Sequence, residues 1–456
     1  MRSIRRTVCF IAVAGLRLIA AEPGAEWSRL VAHARAQEAA GNYADAEATL
    51  RTVLKETDKG QDWKRSAETL GYLGRVEQTL GRLDLAESLY QQALKLNESH
   101  NSQIDEAAIQ VNLARIARTK GHPELALPLC ESAIRTFQNI LGPGHPFVAD
   151  ALDTLASVQV ILGNDRQASE TFERSLAIRE KTSPPNPLKL AATLSNFASL
   201  QTTLGHYQEA EASYRRALTL RERGLGDAHP EVAETRLGLL RLYRVERQFT
   251  KADSLAGLIL PVLTASLGPD HPRVANANLE IAALDQLEGR GEEAEPLLRR
   301  AMAIYEKSFG PDYGQIAVAL TALSGLEVDR HNYRRAEELC LRALDIGQKA
   351  FGLAHPEYAA ILHKLGLVYL LEERYAESTK SFEQALAIRK TSGLESDSGT
   401  AHWEMDYALS LRKIHRNKEA TQIEERARRT LADATRETGE GYRVDIKDLE
   451  RTSKSL

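Results

Sequence analysis

The stretch GPDHP, Gly268 to Pro272, has near copies in GPGHP from Gly142, GDAHP from Gly226, GPDYG from Gly310 and GLAHP from Gly352. From Gly226 onward the interval is 42 residues each time, and Gly142 precedes Gly226 by twice that. A fixed period marks a repeat array, so each residue is read against its equivalents before it is read alone. The period also runs outside these stretches. Ala46, Ala86, Ala126, Ala168, Ala210, Ala252, Ala294, Ala336, Ser378 and Ala420 form one column, spaced 40, 40 and then 42 residues apart. Twelve residues earlier a second column of small residues holds in most units: Ala34, Gly74, Ala114, Ala156, Ala198, Ala282, Ser324 and Gly366. Two small columns per unit predict two closely packed elements.

Both elements are helical by pattern. In VADALDTLASVQVILGN the apolar residues Val148, Leu152, Leu155, Val158 and Leu162 recur at steps of three and four, and no stretch alternates as a strand would. Gly41, Gly81, Gly121, Gly163, Gly205 and Gly289 follow the first helix of their units, where a left-handed residue ends a helix best as glycine. In the GPDHP joints, glycine ends the second helix of one unit and proline takes the first helical position of the next, where its missing N–H is no loss. The histidines of these joints sit on separate turns along an elongated body, which predicts punctuation and no metal site. Where the joint reads Tyr313-Gly314 it is expected to be looser.

Composition bounds the function. The chain has 456 residues, 43% of them hydrophobic and 27% charged, with a formal net charge of −4. That describes a folded chain without the clustered basic surface of a nucleic-acid binder. MRSIRR followed by the apolar TVCFIAVAGL and the small residues Ala20 and Ala21 reads as a cleaved export signal over residues 1–21, too short to span a bilayer. The mature chain is then expected to be periplasmic or secreted, or cytoplasmic if that reading fails. The repeat array is expected over residues 22–429, followed by the end of a capping helix and a polar tail over 430–456. Cys130 and Cys340 share one column of the second helix five units apart, too far for a disulfide, and read as buried small hydrophobes.

The turn glycine, YQEAEASYRRALTL from Tyr207 and YRRAEELCLRALDI from Tyr333 resemble the tetratricopeptide repeat. The 42-residue period, with LGxxHPxVA joining units, is similar to the kinesin light chain type. The resemblance implies an all-α, right-handed superhelical solenoid of about ten helical hairpins, with the first helix of each lining a concave groove. It also implies a protein or peptide ligand. The family's asparagine pair survives here only as Asn112 and Asn196, and the equivalent positions of a later unit hold His363 and Lys364.

No phosphate loop, HExxH, GxSxG, CxxC or dinucleotide fingerprint occurs, so no catalytic residue, metal or cofactor is expected. Function then rests on the groove. Beside Asn112 stands Arg115, and Arg241 and Arg244 lie three residues apart on one helix face near Leu237 and Leu279. Together they suggest a seat for an acidic residue next to a large apolar one. The alternative is that the arginines form surface ion pairs with Glu231, Glu234 or Glu246. At the level of the whole protein, the expected role is a protein-binding scaffold, and the alternative is a regulatory or chaperone-like subunit of a separately encoded enzyme.

Overall fold

The computed structural model describes residues 23–392 and 398–438, and the expected signal segment lies outside them. Among the described residues there are twenty α-helices and no strand. They form ten hairpins: α1–α2 (Pro23–Ala39, Tyr43–Lys59), α3–α4 (Trp63–Thr79, Leu83–Ser99), α5–α6 (Gln103–Thr119, Pro123–Leu141), α7–α8 (Pro146–Ile161, Asp165–Lys181) and α9–α10 (Pro187–Thr203, Tyr207–Leu225). The second five are α11–α12 (Pro230–Val245, Phe249–Leu267), α13–α14 (Pro272–Leu287, Gly291–Phe309), α15–α16 (Gly314–Asp329, Tyr333–Ala350), α17–α18 (Pro356–Leu371, Tyr375–Thr391) and α19–α20 (Ser398–Lys413, Asn417–Thr438). No described helix is long and apolar enough to cross a membrane. The polar stretch after Thr438 lies outside the described residues.

The small columns hold the hairpins together. All ten members of the second-helix column, from Ala46 to Ala420, are fully buried. Where the first-helix column is glycine, an aromatic ring fills the space: a Cβ on Gly74 would lie 2.8 Å from Tyr90, and one on Gly366 would lie 2.7 Å from Phe382. Unit six breaks that column with Leu240, which is nonetheless fully buried. A third column, absent from the sequence reading, lies seven residues before the first-helix one, two turns back along the same helix face. Ala67, Ala107, Ala149, Ala191, Ala233, Ala275, Ala317, Ala359 and Ala401 occupy it, and each is at most 4% exposed.

The turns follow the expected chemistry with two corrections. The glycines closing the first helices have φ between +74° and +86°, yet in other units Arg247, His331, Glu373 and His415 take the same left-handed place at +57° to +65°. The closing bond is the same in both kinds of hairpin, Asn42 N–H to the Gln37 carbonyl at 2.8 Å and Gln248 N–H to the Tyr243 carbonyl at 2.8 Å. At the joints Gly268 has φ +87° and ψ 158°, a region essentially closed to side chains. The joint histidines do more than turn the chain. Nδ1 of His145, His229, His271 and His355 accepts the first backbone N–H of the helix that follows, that of the residue after the proline, at 3.0 to 3.2 Å. Tyr313 makes no such cap, but its ring packs on Phe309 and Tyr305 with ring centres 4.2 and 5.4 Å apart, so an aromatic stack fills the joint that was expected to be looser. Cys130 and Cys340 are free and fully buried, as read from their column.

The array also touches itself. His271, which opens unit seven, donates from Nε2 to the carbonyl of Thr79 in unit two, 192 residues away. Beside it a Cβ on Gly81 would lie 2.9 Å from Pro272, and one on Gly41 would lie 3.5 Å from Pro230. Leu267 and Phe309 pack against the core of the first three units. Successive turns of the coil are therefore in contact along a seam.

His271 uses both ring nitrogens as the neutral imidazole, and burial pushes its pKa down to about 4. A folded value below the ordinary one favours the neutral ring, so this stability is present above about pH 6.5 and is lost as the pH falls towards 4. His271→Asn keeps a capping oxygen and cannot titrate. Thermal melts from pH 7 to pH 4.5 are expected to fall less steeply for the variant than for the wild type; equal slopes would refute the assignment.

Candidate functional site

Consecutive first helices approach one another, α5 with α7, α11 with α13 and α15 with α17, as well as their own second helices. The closer approach puts the first helices on the inside of the curve, as the repeat resemblance implied. Among the described residues no group of three or more His, Cys, Asp or Glu side chains could hold a metal ion.

The structure redistributes the expected site residues. Arg241 and Arg244 are half-buried and reach the same carboxylate, Glu280 of α13, at 2.8 and 3.1 Å. Burial alone would raise the Glu280 carboxyl, but the two arginines outweigh it and hold it below the usual carboxylate range. The expected seat for a ligand's acid is thus filled by the chain's own. Leu237 is 3% exposed and belongs to the core, and Leu279 packs against that core, so the apolar spot beside the arginines is a correction: it is interior packing. His363 stacks on Trp403, ring centres 4.5 Å apart, and hydrogen-bonds Asp406 at 2.9 Å. Lys364 is half-buried, its Nζ 3.8 Å from where a Cβ on Gly325 would lie. Asn196 is exposed on α9.

Asn112 and Arg115 come together in a cavity of about 250 Å³ between α3, α5, α7 and α9. Arg115 donates to the Asn112 side-chain oxygen at 3.2 Å and to Thr154 at 3.1 Å. The other polar walls were missed: Glu68, Tyr72 and Arg75 from α3, Asp105 from α5, Asp150 from α7 and Lys189 from α9. Arg75 pairs with Glu38 at 2.6 Å and lies 5.4 Å from the centre of the Tyr72 ring. Lys189 reaches Asp150 at 3.2 Å, and Asp150 also accepts from Arg179 at 2.8 Å. A signal for these residues existed. Asp105, Phe147 and Lys189 share one register of the repeat, and Glu68 and Asp150 share another.

Family models described as Tetratricopeptide repeat match residues 105–181, 273–339 and 315–391, residues 190–231, and residues 31–101. Together they span more than half of the chain. The stretch 232–272 that they pass over holds most of α11 and all of α12, where Leu240 interrupts the small column. No curated protein matches. Among solved structures the chain is similar to a putative kinesin light chain from Podosopora anserina with nearly identical TPR-like repeats, at 24% identity and a TM-score of 0.37, over 45% of this chain and 98% of that one. It is also similar to the apo form of RapI, at 15% identity and a TM-score of 0.45, over 62% and 98% of the two chains. A Rap protein complexed with competence and sporulation factor matches at 13% identity and a TM-score of 0.44, over 81% and 99%.

Proposed function

Because the chain belongs to the tetratricopeptide repeat family, we propose that it is a non-enzymatic scaffold that holds a peptide or protein segment along the inner wall of its first helices. The observation that carries this reading is the cavity between α3, α5, α7 and α9, where polar side chains from four consecutive units face one space. Stacked repeats build such a surface by curvature, and an extended segment fits it unit by unit. Farther along the same wall stand Asn196, Gly325 and Lys364, side chains too short or too flexible to fill the groove. A partner of this kind contributes the side chains that the wall lacks.

The test uses the full chain as bait, with Asn196→Trp and Gly325→Trp to obstruct the groove and Gln91→Trp as a control on an exposed second-helix position. Nothing but the ends of Lys364 and Gln286 lies within 4 Å of a Cβ on Gly325, so the fold has room for the change. The groove variants are expected to retain less than a tenth of the partner captured by the wild type, and the control to retain it all. Equal retention by all three would place binding elsewhere and overturn the reading.

A further inference from the structure

The cavity's charges are not evenly matched. Arg75 has Glu38 at 2.6 Å, and Lys189 has Asp150 at 3.2 Å. Glu68 has no hydrogen-bond or ion-pair partner among the described residues, and Asp105 has only the Ser102 hydroxyl, at 2.5 Å. Both line the same end of the cavity, Glu68 from α3 and Asp105 from the first turn of α5. Burial, and then the neighbouring Asp105, push the Glu68 carboxyl above its ordinary range, and Lys64 and Arg65 on the same helix offset this only in part. Arg115, whose side chain reaches only Asn112, Thr154 and a backbone carbonyl, lies ten residues further along α5, about 15 Å away at 1.5 Å per residue. It cannot neutralise them. Between the two ends the wall is apolar, with Ala108, Ile109 and Phe147, the last of these 42% exposed.

We infer that this end of the groove takes a cationic side chain, a lysine or arginine of the bound segment, with an apolar residue beside it against Phe147 and Ile109. The inference rests on the scaffold reading and reverses the ligand charge expected from the sequence. Two carboxylates that hold no ion pair, in a cavity wide enough for a side chain, are complementary to an ammonium or guanidinium and repel an acid. The arginines that suggested an acidic ligand are Arg241 and Arg244, whose charges Glu280 already pairs.

The probe is an array of alanine-based heptapeptides carrying Lys-Leu, Arg-Leu, Glu-Leu or Leu alone at the centre, read with the full-length chain. Retention is expected to be at least tenfold higher on the Lys-Leu and Arg-Leu peptides than on the Glu-Leu ones, and to fall as salt rises. Glu68→Gln should remove most of that preference. Glu68→Lys with Asp105→Asn should move it to the Glu-Leu peptides, a gain that an unfolded variant cannot mimic. Preferential retention of Glu-Leu by the wild type, lost on Gly325→Trp, would overturn this inference and leave the scaffold reading standing. Retention of no peptide at all, or a preference for Lys-Leu unchanged in both Glu68 variants, would overturn it as well, the former taking the scaffold reading with it.

Discussion

Asp153→Leu is expected to lower the stability of the array by about 3 kcal/mol, because it strands three buried groups on the two following helices at once. Asp153 accepts from the Ser175 hydroxyl at 2.6 Å, from Arg179 at 2.5 Å and from Thr193 at 2.7 Å. The Arg179 side chain is only 5% exposed, so its charge has no solvent to turn to, and Asp150 at 2.8 Å remains as its single carboxylate. The loss comes more from a buried charge left with one carboxylate in place of two than from the missing neutral bonds. Pairing the change with Arg179→Met should therefore recover part of it, since an apolar replacement of both partners is often close to neutral. Chemical denaturation of the wild type, the two single variants and the double variant measures this. A double variant as unstable as the sum of the singles would mean that the network acts as independent bonds.

Ala210→Arg is expected to cost about 3 kcal/mol or more and to unfold the middle of the stack. Ala210 is fully buried where α10 crosses its neighbours, in the cluster that also holds Ala198, Tyr214 and Leu240. A guanidinium there must either displace packed side chains or lose its hydration. Because repeats are stabilised by their neighbours, the damage should spread to the adjacent units before it reaches the ends. Hydrogen exchange would show fast amides centred on α9 to α12; protection unchanged there would mean that the column does not mark the crossing.

The fold was legible because the residues that set it repeat. Each alanine of the column from Ala46 to Ala420 solves the same steric problem in a new unit, so ten weak signals add in register. Even Arg247 and Glu373, which break the glycine rule, keep the hairpin because the closing hydrogen bond and the packing on either side outweigh the strain of one left-handed residue. The site was less legible because it depends on what differs between units. Arg241 and Arg244 were correctly seen to share a face, but their partner Glu280 stands 36 residues beyond Arg244, in the next first helix, where only the curvature brings it close. Leu237 looked available because it precedes Arg241 by one turn, and a single helix carries no record of which side its neighbours cover. Arg179 and Arg221 are one repeat apart, as are Thr193 and Thr235, and each arginine bonds its threonine. That pairing could have been read from the period alone.

The seam between units two and seven turns a question of affinity into one of topology. With Thr79 bonded to His271 and Gly81 against Pro272, this stretch of the inner wall is bounded by touching turns, locally a tube where a trough was expected. A tube admits a strand from its mouth, so a partner with a free terminus can thread it, while an internal loop of a folded protein or a cyclised peptide has no end to offer. For such a molecule the seam must part first, and the rate at which His271 lets go of Thr79 would then set how fast it binds.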